Sequence, residues 1–370
     1  MVTRLRQEIL TLGGELGFVR PRVAQVAATG RDAFYAQWLA DGRAGDMRFL
    51  QHHVKARLDP RTRYPWVRSV ISAFFPYAAP PPPLLDWRVQ MRGRIAAYAL
   101  GRDYHAEMGE RLGRWAAAIM ALAPGVRAAG FVDTAAVFEH EWAARAGVGW
   151  TGKHTLTLSE DRGSYAFLGE ILVGADIEPD PPAVDRCGSC TRCIDACPTG
   201  AIEPGYRLDP RLCIAYLTIE HRGPIAAELR PSLGEWIFGC DLCQMACPWN
   251  GDEASPPNEQ LAPDLCEILA LDDAGFAARY GDSALQRTGR IGLARNAAVV
   301  LGNTGNPAAV PALACALHGH DAPLVRQHAA WALGRLRDVG GAAARTALEA
   351  ARRDPDPTVR AEAETALDTQ

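Results

Sequence analysis

Eight of the ten cysteines fall between Cys187 and Cys247, in groups spaced for iron rather than for disulfides. Cys187-x2-Cys190-x2-Cys193-x3-Cys197-Pro198 is the bacterial ferredoxin run, in which three thiolates hold one 4Fe-4S cube and the fourth crosses to a second. Cys240-x2-Cys243-x3-Cys247-Pro248 repeats it with three cysteines, and Cys213 supplies the eighth thiolate that two cubes require. One cluster is therefore assigned to Cys187, Cys190, Cys193 and Cys247, and the other to Cys197, Cys213, Cys240 and Cys243. A zinc ribbon needs its ligands in two pairs around a tetrahedral ion, and the unbroken triple Cys187, Cys190, Cys193 is grouped wrongly for it. Two clusters in series form a relay, so an electron acceptor is expected elsewhere. Cys266 and Cys315 lie in apolar helical stretches and read as inert core residues.

The search for that acceptor gives weaker signals. No Gly-x-Gly-x-x-Gly follows a strand, which leaves a Rossmann nucleotide site unsupported. Asp103-Tyr-His105-Ala-Glu-Met-Gly109 approaches the Asp-x-His-x-x-Gly motif of proteins that bind cobalamin through histidine, with its glycine one place late. Gly147-Val-Gly-Trp-Thr-Gly-Lys153-His154 is a glycine-rich turn that either lets backbone approach a large cofactor or joins a helix to a strand. Asp133 stands where a strand gives way to a helix, as a general acid or as an N-cap.

The elements that position these residues fall into three stretches of a 370-residue chain, long enough for two or three cores. Hydrophobic residues make up 48% and charged residues 22%, a globular composition, and the net charge of -4 argues against coating nucleic acid by bulk positive charge. No apolar run has the length of a membrane span, and the N-terminus lacks the apolar core of a signal peptide, so a cytoplasmic, membrane-free protein is expected. Residues 1–178 mix helices with strands: a helix over Leu5–Leu16, a strand over Val67–Tyr77, and a proline connector at Pro80–Pro83. Helices over Asp86–Gly101 and Glu107–Leu122 follow, then a strand Ala128–Val132, a helix to Ala146, and paired strands Thr155–Leu158 and Tyr165–Val173. Prolines at 179, 181 and 182 mark a boundary. The cysteine region occupies 179–270 and alanine-rich helices occupy 271–370. There Arg295-Asn-Ala-Ala-Val-Val-Leu-Gly302 is echoed by Arg326-Gln-His-Ala-Ala-Trp-Ala-Leu-Gly334, and Val359-Arg360 restarts the pattern, the mark of a HEAT-like solenoid. The expected architecture is thus α+β multidomain: an N-terminal α/β domain, a ferredoxin-like double-cluster domain and HEAT-like helical repeats.

Nearly the whole chain resembles the epoxyqueuosine reductase family. The stretches that carry the likeness are Tyr98-Ala-Leu-Gly-Arg-Asp-Tyr-His105, Val132-Asp-Thr134, Ala143 to Lys153, Phe167-Leu-Gly-Glu-Ile171, both cysteine runs, Tyr216-Leu-Thr-Ile-Glu-His221 and Gly239-Cys-Asp-Leu-Cys-Gln244 to Cys247-Pro-Trp-Asn250. The resemblance implies reduction of epoxyqueuosine to queuosine at the tRNA wobble position. It also implies two 4Fe-4S clusters, a cobalamin without a protein histidine on cobalt, and a HEAT-like domain that grips tRNA. Asp133 becomes the proton donor, with a pKa expected to be raised by burial. Arg57, Asp133, Lys153 and His154 become cofactor contacts, while Arg222, Arg295 and Arg326 become tRNA contacts, with Arg287 and Arg290 beside them. Only two lysines, Lys55 and Lys153, are present, so phosphate recognition falls to arginine. A monomer fed by flavodoxin, ferredoxin or a similar donor is expected. The chain departs from the family pattern at Ala136, where a proline is usual, and at His154, where an asparagine is usual; it also lacks a histidine near Met47. Two other readings are a reductive dehalogenase-like corrinoid enzyme and a ferredoxin-like carrier, but the solenoid and the absence of an export signal oppose the first.

Overall fold

The computed structural model describes residues 2–82, 85–251 and 262–368; Pro83 of the proline run lies outside them. The chain divides into two compact units built from interleaved segments: Met1–Ala79, Asp103–Arg211 and Leu242–Glu253 in one, Pro80–Arg102, Leu212–Asp241 and Ala254–Gln370 in the other. Three consecutive domains were expected. The first cysteine run instead folds with the N-terminal sheet, while Leu212–Asp241 folds with the helical repeats.

The first unit is the expected mixture of helix and sheet. Its four strands run Val19–Gln25, Ser69–Pro76, Ala166–Val173, Ala128–Phe131 across the sheet, and every pairing is antiparallel. Ala166–Val173 is central and reads as an almost unbroken apolar run, as a strand covered on both faces must. Glu170 interrupts that run, paired in register with Ser72 on one side and Phe131 on the other. The helix Tyr104–Leu122 is capped by Asp103, whose carboxylate accepts the His105 backbone N–H at 3.0 Å. Met108, Leu112, Trp115, Ala116 and Ile119 form its buried stripe at helical spacing. Gly130 lets that helix approach the sheet, since a Cβ there would sit 2.6 Å from Leu112 Cβ.

One local expectation fails in this unit, and two elements appear that the sequence did not suggest. Thr157–Leu158 pairs with Trp150–Thr151 and not with Ala166–Val173. The reason is the tight turn over Gly152–Thr155, closed by Gly152 N–H to Leu156 O at 2.8 Å, which folds the glycine-rich segment back as a small hairpin. The helix Asp32–Ala40 and the strand Val19–Gln25 carry patterns too short to stand out in sequence.

In the second unit the helices Gly289–Thr304, Val310–Gly319, Pro323–Arg335, Arg337–Ala351 and Pro357–Asp368 stack around a continuous alanine- and leucine-rich core. Asp86–Gly101 is not the expected helix. It forms a short helix Trp87–Gln90, then a strand Arg94–Ile95 that pairs in parallel with Trp236–Phe238. Cys266 packs against the core as expected, whereas Cys315 is exposed because it faces away from the buried stripe of its helix.

Candidate functional site

Two chemically distinct sites lie in the first unit. At one, Asp133 follows the strand Ala128–Phe131 in a turn, and the next helix starts only at Glu139, so Asp133 is not a helix cap. His105 Nε2 lies 2.9 Å from Asp133 Oδ1, and the Tyr104 hydroxyl donates to Asp133 Oδ2 at 2.6 Å. His105 Nδ1 sits 2.6 Å from Asp103 Oδ1, so the imidazole is held between two carboxylates. Tyr104 is fixed in turn by stacking on Phe167, with centroids 3.9 Å apart.

This geometry reverses one expectation. Burial pushes the Asp133 carboxyl up, but the hydrogen bonds from His105 and Tyr104 outweigh it and hold the pKa below the ordinary carboxylate value. The hydrogen bond to Asp133, opposed by desolvation and aided by the negative charges of Asp133 and Asp103, raises His105 to about 9. At neutral pH the proton therefore resides on the imidazole, and the pair as a whole carries it. With side chains 34% and 43% exposed, His105 and Asp133 are open to a ligand.

Beneath them lie two more carboxyls. Burial raises Glu139 to about 7, and Glu170 stands well above its ordinary value through burial and the neighbouring charge of Glu139. Ser72 donates to Glu170 Oε1 at 3.1 Å, while Glu170 Oε2 has no partner among the described residues. None of His105, Tyr104, Glu139 or Glu170 was singled out from sequence as a proton-handling group. The near-motif at Asp103–His105 and a lone charge inside an apolar strand were the available signals.

The second site is a cavity lined by Lys153, His154, Leu158, Cys187, Cys190, Cys193, Cys247, Pro248 and Trp249. The four cysteines expected to share a cluster are therefore together. Cys247 is brought there by Asn250, which accepts the Ser164 backbone N–H at 2.6 Å and donates to Gln244 O at 2.7 Å. Gly163 makes room for it: its φ is +64, and a Cβ would meet Asn250 Oδ1 at 1.9 Å. Burial raises the thiol pKa of Cys193 and of Cys247, and neighbouring cysteines add to it, so iron must displace protons from an apolar pocket walled by Trp150, Leu158 and Trp249. Cys197 differs. Burial raises it, but the Thr199 hydroxyl and the backbone N–H groups of Thr199, Ala201 and Ile202 prevail and lower its pKa. Among the described residues no group of three or more His, Cys, Asp or Glu is disposed around a single ion.

Lys153 and His154 belong to this cavity, at the tip of the small hairpin. Lys153 Nζ donates to Gly188 O at 2.7 Å and Cys190 O at 2.8 Å, clamping the cysteine loop. His154 is 4% exposed. Desolvation, with a smaller push from His140, lowers its pKa to about 4, so it is neutral. Arg57 lies away from the cysteines, buried, with long hydrogen bonds of 3.4 and 3.3 Å to Ala135 O and Phe49 O and no partner for Nε. A separate groove of about 350 Å³ is lined by Phe34, Trp38, Arg43, Thr155, Tyr206 and Arg207, among others.

Similarity to known proteins now decides the family. Residues 57–134 match the family model "Epoxyqueuosine reductase QueG", 186–250 a 4Fe-4S double cluster binding domain, and 283–368 HEAT repeats. The chain is 40% identical over 338 residues to the epoxyqueuosine reductase of Xanthomonas campestris, covering 88% of this chain and 95% of that protein. The chain belongs to the epoxyqueuosine reductase family. The Pseudomonas aeruginosa enzyme is likewise 40% identical, over 90% of this chain and 94% of its own. Among solved structures, epoxyqueuosine reductase from Bacillus subtilis, with a catalytic aspartate loop swung out of its active site, has a TM-score of 0.90 at 26% identity, covering 100% of this chain and 99% of that one. An epoxyqueuosine reductase holding an epoxyqueuosine-modified tRNA-Tyr stem loop has a TM-score of 0.90 at 27% identity with the same coverage. No described helix is long and apolar enough to cross a membrane.

Two of the arginines expected to grip tRNA have other work in this reductase. Arg295 is fully buried, donating to the carbonyls of Leu217, His221 and Gly223 and to Asn296 Oδ1. Asn296 donates to Thr218 O and Ile237 O, so this adjacent pair locks the first repeat helix onto Ile214–Ile219 and Trp236–Phe238, the elements that precede Cys240 and follow Cys213. Arg326 is 8% exposed. It forms a two-pronged pair with Asp354 and donates to His320 O and Asp321 O, six and five residues back. Arg360 repeats that pattern on Asp354 O and Pro355 O. In these two repeats the arginine fixes the turn before its helix, whereas Arg295 in the first reaches distant carbonyls instead. Arg287 and Arg290 are also paired, with Glu220 and with Asp273 and Asp321. Arg222 is exposed while donating to Arg287 O and Thr288 O.

Proposed function

We infer that the chain reduces epoxyqueuosine to queuosine at the wobble position of tRNA. What carries this reading beyond kinship is the presence, in one compact unit, of a four-thiol cavity and the proton-charged Asp133–His105 pair. Removing an epoxide oxygen as water consumes two electrons and two protons. The thiol set suits one 4Fe-4S cluster on Cys187, Cys190, Cys193 and Cys247, and we assign the second to Cys197, Cys213, Cys240 and Cys243. Arg57, whose Nε lacks a partner among the described residues, would offer a donor to cobalamin amides, and Trp38 and Tyr206 in the groove would offer it aromatic surface. When bound, cobalamin would supply the low-potential reducing chemistry that the epoxide requires.

The chain's own residues handle the protons. Asp133 faces the leaving oxygen and passes on the proton shared with His105; Tyr104 and Asp103 keep both rings and carboxylate in place. Glu170, held protonated by burial, and Glu139, which burial brings to titrate at about 7, are placed to recharge the pair for the second transfer. Lys153 acts on the cysteine loop, and Arg222 is the exposed candidate for a tRNA phosphate. The protein works as a monomer in the cytoplasm, fed by a flavodoxin- or ferredoxin-type donor. The test is mass spectrometry of tRNA hydrolysates from a strain lacking this protein. Epoxyqueuosine accumulates there if the reading is right, and unchanged queuosine in the absence of a second enzyme overturns it.

A further inference from the structure

His154 lines the cavity of Cys187, Cys190, Cys193 and Cys247 and is almost wholly buried. Its Nδ1 receives the Leu156 backbone N–H at 3.2 Å. A backbone N–H can only donate, so Nδ1 carries a lone pair and the ring proton sits on Nε2. That Nε2–H is buried and finds no acceptor among the described residues. Buried donors are almost always satisfied, and an orphan in a site built for a ligand points to the ligand as its partner. Of the other walls, Leu158 is apolar and Trp249 offers only a donor.

We propose that His154 Nε2 donates a hydrogen bond to a sulfur of the cluster held by Cys187, Cys190, Cys193 and Cys247, and so raises the reduction potential of that cluster and not of its neighbour. The proposal rests on reading the cavity as a 4Fe-4S site. A cluster gains one negative charge on reduction, and a donor on its sulfur stabilises the reduced form more than the oxidised one. The proton stays on nitrogen and only the electron moves. His154 is placed for this by the hairpin: Gly149 allows Trp150–Thr151 to lie against Thr157–Leu158, because a Cβ there would come within 2.1 Å of Leu158 O. Thr155, at φ +67, completes the reversal that turns His154 inward.

The experiment is an EPR-monitored redox titration of the full chain, reconstituted anaerobically with both clusters, comparing wild type with His154→Phe and His154→Gln. Iron and sulfide content and the presence of both reduced signals test the cavity reading itself. With both clusters present, His154→Phe lowers one midpoint by about a tenfold shift in its one-electron equilibrium, about 59 mV, and leaves the other in place; His154→Gln, which keeps a donor, falls between. Two unmoved midpoints in His154→Phe overturn the proposal. Should either variant lose iron, pulsed EPR of the wild-type reduced protein with 15N-labelled histidine decides: a weak nitrogen coupling to one cluster supports the bond, and its absence overturns it.

Discussion

His105 and His154 lie in the same compact unit and have opposite electrostatic fates. Between Asp103 and Asp133 and one-third exposed, His105 is pushed up to about 9 and carries charge. Walled by tryptophan, leucine and thiols, His154 is pushed down to about 4 and stays neutral. One side chain type thus takes opposite charge states in one unit, and the partners decide which. The proton site is an open turn whose charges are mutually compensated. The cysteine cavity is walled mainly by apolar side chains, Trp150, Leu158 and Trp249.

Disabling one site without the other tests that division most strongly. Cys247→Ser removes a thiolate from the cavity alone; iron content falls by about half, the loss of one of two cubes, and turnover is abolished, while the pH titration of His105 followed by NMR is unchanged. A displaced His105 titration would mean the two sites are structurally one. Asp133→Asn is the converse. Both cluster signals persist at full intensity, and turnover falls about 10²–10⁴-fold, the range for loss of a general acid. Near wild-type turnover would move the proton role to another carboxyl, Glu139 being the nearest in pKa to neutrality.

The contrast also shows why some of the molecule was readable in advance. The cysteine run was legible because iron fixes ligand spacing in the chain itself, and Cys187, Cys190, Cys193 and Cys247 do share a cavity. The solenoid was legible from its repeated arginine, but that arginine's role was not. Arg326 looks like a phosphate ligand in sequence, and only the carbonyls five and six residues behind it, repeated at Arg360, show that it braces a turn. Arg295 was misread for the same reason, since its three carbonyl partners lie more than seventy residues away. The proton site was half legible. Asp133 stood out through resemblance, yet the direction of its pKa depended on His105, whose approach is set by the capping of Tyr104–Leu122 by Asp103 and by the position of the strand Ala128–Phe131. Burial alone predicts a raised carboxyl; two hydrogen bonds to the charged form reverse it.

The finest separation of the two sites comes from His105→Gln, which keeps a donor toward Asp133 but cannot titrate. A histidine whose folded pKa is raised is stabilised in its charged form. Its contribution is complete below the ordinary value of 6.5, remains substantial at neutrality, and is lost as pH rises through about 9. The wild-type rate should therefore hold from pH 7 toward 9 and fall above it as the shared proton is released. In His105→Gln that alkaline limb disappears or moves toward neutrality, where Glu139 titrates at about 7. The rate at pH 7 drops about tenfold, at the low end for an acid that acts through a second group. Cluster midpoints stay where they were, because no charge in the cysteine cavity has changed. An alkaline limb that persists near pH 9 in the variant would assign it to another group and leave His105 as a positioning residue for Asp133.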